Sequence, residues 1–251
     1  MKRLFPFLAL MTLGISSKAE ITTEDVTYKH GSDTMEGFIA YDKAISGKRP
    51  VVIIVHQWKG LGDYEKTRAR MLAEMGYLAV CADIYGQGNR AQDSQQARTL
   101  ATKYRSDRKL MRARAQAALD YAKTLELADP AKVAAIGYCF GGGVVLELAR
   151  SGADLAGVVS FHGNLDTPDP ADAKNVACKI LVCHGAADGS ITMKDVTTFS
   201  EEMEAANVDW QLVIYANAKH AFTHFESKDR YNENADKRSW KHMQDFFHEL
   251  F

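Results

Sequence analysis

Four cysteines occur in the chain, and Cys139 has the setting most suited to nucleophilic chemistry. It is the centre of Gly137-Tyr138-Cys139-Phe140-Gly141, within "AAIGYCFGGGVV". This is the strand-turn-helix nucleophile elbow GxSxG with sulfur in place of oxygen. Such a turn strains its central residue, and the glycines around it remove the Cβ atoms that would keep strand and helix apart. It also sets the sulfur at a helix N-terminus, where free N–H groups and the helix dipole favour a thiolate. Alone, the pentapeptide is equally compatible with a glycine bend around a buried cysteine. A nucleophile needs a base, and the base needs an orienting acid. "KILVCHGAADGSIT" carries an apolar run into Asp188, and "DWQLVIYANAKHAF" carries another into His220. A histidine that takes the thiol proton and a carboxylate that orients it are the parts of a device for attacking an acyl carbon.

Three strand ends must meet for these residues to act together. "VTYK" and "EGFIAYD", on either side of the turn-rich "HGSDTM", predict an opening β-hairpin. "VVIIV", Val51 to Val55, is the β-branched run of a strand buried on both faces. "YEKTRARMLAEMG" predicts a helix ended by Gly76, "YLAVCADIYG" a strand running into a loop, and residues 91–127 one or two helices. "KVAAIGY" is then a strand and "GGGVVLELAR" a helix. Strands follow in "AGVVSFHG", "KILVCHGAADG" and "DWQLVIYA", with helices near Met193 to Ala206 and in "KRSWKHMQDFFHELF". The alternation predicts an α/β fold, with a mostly parallel central sheet and helices on both faces. Ligands of such sheets bind beyond the carboxyl ends of the strands. Cys139, Asp188 and His220 all fall there.

At 251 residues, with 46% hydrophobic and 25% charged content, one domain around one large core accounts for the chain. The first residues stand apart from that core. "MKR", "LFPFLALMTLGI" and "SKA" read as a secretory signal peptide over residues 1–19, which leaves 20–251 as the domain. The apolar run is shorter than the ~20 residues a spanning helix takes, so export to the periplasm is expected, with no membrane attachment after cleavage. The chain has 31 basic and 32 acidic residues, and losing Lys2, Arg3 and Lys18 tips it further towards acidic. That balance offers no footprint for nucleic acid or anionic lipid. Cys81, Cys178 and Cys183 sit in strand-like apolar segments and fit buried free thiols. A disulfide between core cysteines is the alternative in an oxidising compartment. A monomer or weak homo-oligomer is expected.

"GYCFGG", "HGAADGSIT" and "AKHAFTH", together with "CADIYG", resemble the dienelactone hydrolase family of the α/β-hydrolase superfamily, from about Ile21 to the C-terminus. The order nucleophile, acid, histidine is that superfamily's order. The resemblance implies the α/β-hydrolase fold and hydrolysis of small ester, lactone or thioester substrates through an acyl-cysteine. It makes Cys139 the nucleophile, His220 the base and Asp188 its partner, with backbone oxyanion donors at Phe140 and Trp58, and it calls for no cofactor. Two departures follow from aligning the family's pattern. Gln57, in "VHQWKG", stands where a glutamate helps ionise the thiol, so activation falls to His220, the helix terminus or nearby His56. Gln87 and His224 stand where two arginines hold a substrate carboxylate. His56, Gln57, Gln87 and His224 are therefore candidates for substrate contact. Without those guanidiniums, a generic esterase, lactonase or thioesterase fits better than a dienelactone hydrolase proper.

His56 and His184 follow strands and are also compatible with loop packing. The HxxxH spacing of His220 and His224 lies in a loop and lacks the glutamate of HExxH, so no metal is expected. "KYRSDRKLMRARAQ" reads as a solvated helix face. Two other functions compete with hydrolysis. One is a redox or sensor thiol protein on a hydrolase scaffold, motivated by a low-pKa thiolate. The other is a non-catalytic ligand-binding homologue, motivated by Gln57.

Overall fold

The computed structural model describes residues 19–251, so the expected signal peptide lies outside the described residues except for Ala19. Strands β1 (Ile21–His30) and β2 (Asp33–Asp42) pair antiparallel from end to end, with His30 opposite Asp33. Only Gly31 and Ser32 lie between them, and Gly31 supplies the positive φ of 58° that so tight a turn needs. The hairpin is thus longer and sharper than the link expected over "HGSDTM".

Strands β3 (Arg49–Val55), β4 (Leu78–Ala82), β5 (Ala128–Tyr138), β6 (Gly157–Phe161), β7 (Lys179–Gly185) and β8 (Trp210–Tyr215) complete an eight-stranded sheet in the order β1-β2-β4-β3-β5-β6-β7-β8. β3 to β8 run parallel, and β2 joins β4 antiparallel. The helices are α1 (Asp63–Glu74), α2 (Ser94–Ser106), α3 (Arg108–Thr124), α4 (Phe140–Arg150), α5 (Met193–Ala205) and α6 (Glu233–Leu250), with a 3-10 turn at Pro170–Asn175.

Successive side chains of a strand point to opposite faces. Val51, Ile53 and Val55 enter a core shared with α2 to α5, while Val52 and Ile54 enter one shared with α1 and α6. Both faces are covered, which is why "VVIIV" is apolar at every position. Burying each such side chain contributes roughly 1.5–3 kcal/mol.

Residues 91–127 divide into α2 and α3 at Asp107, whose carboxylate accepts the N–H of Leu110 and caps α3. The basic cluster spans this break and is not the solvated face expected of it. Arg114 is buried, donating to the Ile84 carbonyl and the Tyr104 hydroxyl and pairing with Asp33. Arg112 pairs with Glu147 and Asp172, and Arg108 with Asp166. α3 is packed against α4, β1 and the strands beneath it. Long stems can lie along such apolar neighbours while their heads find carboxylates remote in sequence, which helical period cannot reveal. All four cysteines are buried free thiols, so no disulfide staples the core.

Candidate active site

β5 ends at Tyr138 and α4 begins at Phe140, which leaves Cys139 alone to turn the chain, at φ 55° and ψ −114°. Positive φ is costly for a residue with a Cβ, and such strain persists only where the surroundings enforce it. The glycines are part of that enforcement. A Cβ on Gly137 would lie 2.0 Å from the Gly141 carbonyl oxygen, and one on Gly141 would lie 2.2 Å from that of Val55. The Cys139 N–H donates to the Phe161 carbonyl (3.0 Å) and to His162 Nδ1 (3.1 Å), tying the turn to the end of β6.

Three strand ends bring one chain of hydrogen bonds together. Cys139 Sγ lies 3.0 Å from His220 Nε2, and His220 Nδ1 lies 2.8 Å from Asp188 Oδ2. Asp188 follows β7 and His220 follows β8. The other Asp188 oxygen accepts the N–H groups of Ser190 (2.8 Å) and Ile191 (3.0 Å), so the carboxylate cannot rotate without losing both. Burial would push the Cys139 thiol up, but the hydrogen bond and charge of His220, the charge of Arg105 and the Phe140 amide outweigh it and bring the thiol below its usual value. Burial likewise opposes the imidazolium, yet Asp188 and Cys139 raise His220 to about 10. Together these shifts favour a thiolate–imidazolium pair over a neutral one. The other three thiols are shifted upward by burial.

Cys139 is 8% exposed and opens into a cleft of about 860 Å³. Gln57, Trp58 and His224 line this cleft. His224 stacks on Tyr64 at 5.0 Å between ring centroids. Two residues expected at the substrate, Gln87 and His56, are not among those lining the cleft. Gln87 is an exposed residue whose backbone N–H bonds the Thr34 carbonyl, because the chain turns outward at Gly86 before reaching it. His56 is fully buried and stacks on Phe140 behind the cleft. Its Nε2 accepts the N–H of Ile84, so Nδ1 carries the proton and donates to the Gln57 carbonyl (2.6 Å). A trans peptide sets N–H opposite C=O, so this bond directs the Trp58 N–H away from His56. The Tyr85 hydroxyl donates to the Trp58 carbonyl and fixes the next peptide. His184 is also buried and is not part of the cleft wall. His220 and His224 share no helix, and no group of three metal-ligating side chains is clustered among the described residues.

The model of the dienelactone hydrolase family matches residues 35–251. The chain belongs to that family. A solved dienelactone hydrolase-like promiscuous phosphotriesterase from metagenomic libraries is 38% identical, with a TM-score of 0.89 over 93% of this chain and 100% of that one. The solved protein designated m3DLH is 36% identical, with a TM-score of 0.88 over 92% and 99% of the two chains. Among curated proteins, the "Putative carboxymethylenebutenolidase" of Yersinia pestis is 26% identical over 239 residues, 89% of this chain and 86% of that protein. Membership of the dienelactone hydrolase family makes the chain a hydrolase with the α/β-hydrolase fold.

Several residues around this dienelactone hydrolase-family site escape sequence reasoning. Glu65, in the first turn of α1, lines the cleft beside Gln57; its two oxygens accept the N–H groups of Gln57 (3.1 Å) and Gly62 (3.0 Å). Burial pushes its carboxyl up to about 7 against the pull of those amides. Arg105 and Arg98 reach the cleft from α2, and Lys59 and Arg230 from loops. Arg105 donates to Asn164 (2.5 Å). His162 was discoverable: it follows the β6 run "GVVSF", so the rule that sites gather after strands selects it as readily as Cys139.

Proposed function

We propose that this protein is an exported cysteine hydrolase that cleaves small esters, lactones or thioesters through an acyl-cysteine. The observation that carries the reading is the continuous chain from Asp188 through His220 to Cys139 Sγ at the floor of the cleft. In the first step the Cys139 thiolate attacks the acyl carbon, and the carbonyl electrons move onto oxygen. The N–H groups of Phe140 and Trp58 hold that oxyanion, each such donor typically being worth roughly 10²–10³ in rate. As the tetrahedral intermediate collapses, the bond to the leaving oxygen or sulfur breaks, and His220 gives it the proton. His220 then removes a proton from water, the hydroxide attacks the thioester, and the acid departs as Cys139 regains its starting state.

Four cationic side chains, Lys59, Arg98, Arg105 and Arg230, line the cleft, and none has a carboxylate within ion-pair distance among the described residues. The same lining holds the carboxyls of Asp63, Glu65 and Glu226, so the cleft carries a small cationic excess, which favours acyl substrates that carry negative charge away from the scissile bond. The likeness to a promiscuous phosphotriesterase adds aryl phosphotriesters to the substrate panel. The deciding experiment runs aryl esters, thioesters and lactones beside Cys139→Ala and follows the protein by intact mass. The expected outcome is loss of turnover by more than ~10⁴-fold in the folded variant, with a transient acyl adduct on the wild type. Undiminished turnover by Cys139→Ala would sink the reading. Cell fractionation, with the chain recovered from the periplasm without residues 1–19, checks export.

A further inference from the structure

His162 is a second histidine beside the thiol, and hydrolysis as written above makes no use of it. It is fully buried and takes a left-handed backbone, φ 40°, which is uncommon for a residue with a Cβ. Its Nδ1 accepts the N–H of Cys139, so its proton sits on Nε2, which donates to Thr223 Oγ1 at 2.8 Å. Thr223 lies three residues beyond His220 in the same loop and is itself buried. Its hydroxyl is 2.7 Å from that of Tyr64 in α1, and its carbonyl accepts from Arg68, which is paired with Asp236 of α6. Burial and the neighbouring charge of His220, whose ring meets His162 edge-on at 5.5 Å, keep the His162 imidazole neutral. Charges from Arg68 and His224 act in the same direction.

We propose that His162 and Thr223 are positioning residues that strap the nucleophile turn to the loop bearing His220. The two halves of the site come from chain segments about 80 residues apart, Cys139 after β5 and His220 after β8, with β6 and β7 between those strands. Among the described residues, apart from the Sγ–Nε2 contact itself, the His162 ring is the side chain that hydrogen-bonds both Cys139 and the His220 loop. Its neutral tautomer can accept from one side and donate to the other. Because Thr223 is anchored on α1 and α6, the strap refers the His220 loop to the helices on that face of the sheet. An error of about 1 Å in such an alignment can lower a rate by ~10²-fold.

The inference rests on Cys139 acting as nucleophile, so its test reads the thiol directly as well as turnover. Thr223→Val keeps the side-chain shape and removes the hydroxyl, Thr223→Ser restores a hydroxyl, and His162→Asn keeps an acceptor near Cys139 but cannot reach Thr223. The measurements are kcat and KM on an activated ester, the rate of Cys139 alkylation by iodoacetamide against pH, and thermal unfolding. Thr223→Val and His162→Asn are expected to lose kcat by up to ~10²-fold with KM little changed. Their alkylation profiles should move towards that of an ordinary thiol, and Thr223→Ser should recover both. A folded Thr223→Val with wild-type kcat and alkylation profile overturns the strap. If that variant does not fold, His162→Asn decides by the same readouts. Failure of the hydrolase reading would appear separately, as turnover that survives Cys139→Ala, and would leave the alkylation comparison intact.

Discussion

The two ends of α4 hold charge in opposite ways. At its C-terminal end Arg150 is 1% exposed and is bound to Glu147, to Glu202 through two hydrogen bonds, and to the Leu165 carbonyl; Arg112 closes the group onto Glu147. A cation there also faces the negative end of the helix dipole. Each of these groups has a fixed partner. At the N-terminal end the charge on Cys139 exists only while His220 holds the proton, and the sulfur looks into a cleft. Every residue of α4 is buried, so the helix cannot shift to relieve the strained turn at Cys139. A buried ionic group with complete partners is a fixture of the fold, whereas a chemically useful one needs a partner whose proton can leave.

Three changes would break or sharpen this contrast. The largest effect is expected from Asp188→Asn, which leaves His220 without an acceptor for its Nδ1 proton and spoils the tautomer; loss of kcat by ~10³–10⁴-fold follows by analogy with other acid–histidine–nucleophile sites. The wild-type thiol lies below its ordinary value, so it should be alkylated below the ~8.5 of a free cysteine and lose reactivity only as pH falls through its lowered value. In Asp188→Asn that fall should come at higher pH, and an unmoved profile would show that His220 does not depend on its acid. Next comes Glu147→Ala at the other end of α4, which leaves Arg112 and Arg150 short of a buried partner. Its expected cost is about 3–5 kcal/mol in denaturant unfolding, with the alkylation profile of the folded fraction unchanged. A shifted profile would mean that the two ends communicate. The smallest effect belongs to Glu65→Ala, about 1 kcal/mol from the lost acceptor for Gln57 and Gly62, read by thermal unfolding.

Much of the fold was legible because its signals are local. The unbroken "VVIIV" run, the Gly76 stop and the alternation of strands with helices depend on near neighbours, and the order of elements follows the pattern, although the hairpin, β5 and α6 run longer than their sequence signals. The basic cluster misled because helical period registers where a side chain starts and not where its guanidinium ends. Arg105 illustrates this: it belongs to an ordinary polar helix in sequence, yet it reaches the cleft and bonds Asn164 across the molecule. His56 misled in the opposite direction, since nearness to the site along the chain does not say which side of a peptide plane a ring occupies.

What the sequence determined by itself was the supply of chemistry: a cysteine flanked by the glycines its turn requires, and an acid and a histidine each placed just past a strand. These follow from short-range sterics and from strand direction in a parallel sheet. Tertiary structure decided the distances, the direction of the pKa shifts and the contacts His162–Thr223 and Gln57–Glu65. Hydrogen bonds and desolvation act between groups that are remote in sequence, and their strength depends on tenths of an ångström that only packing sets.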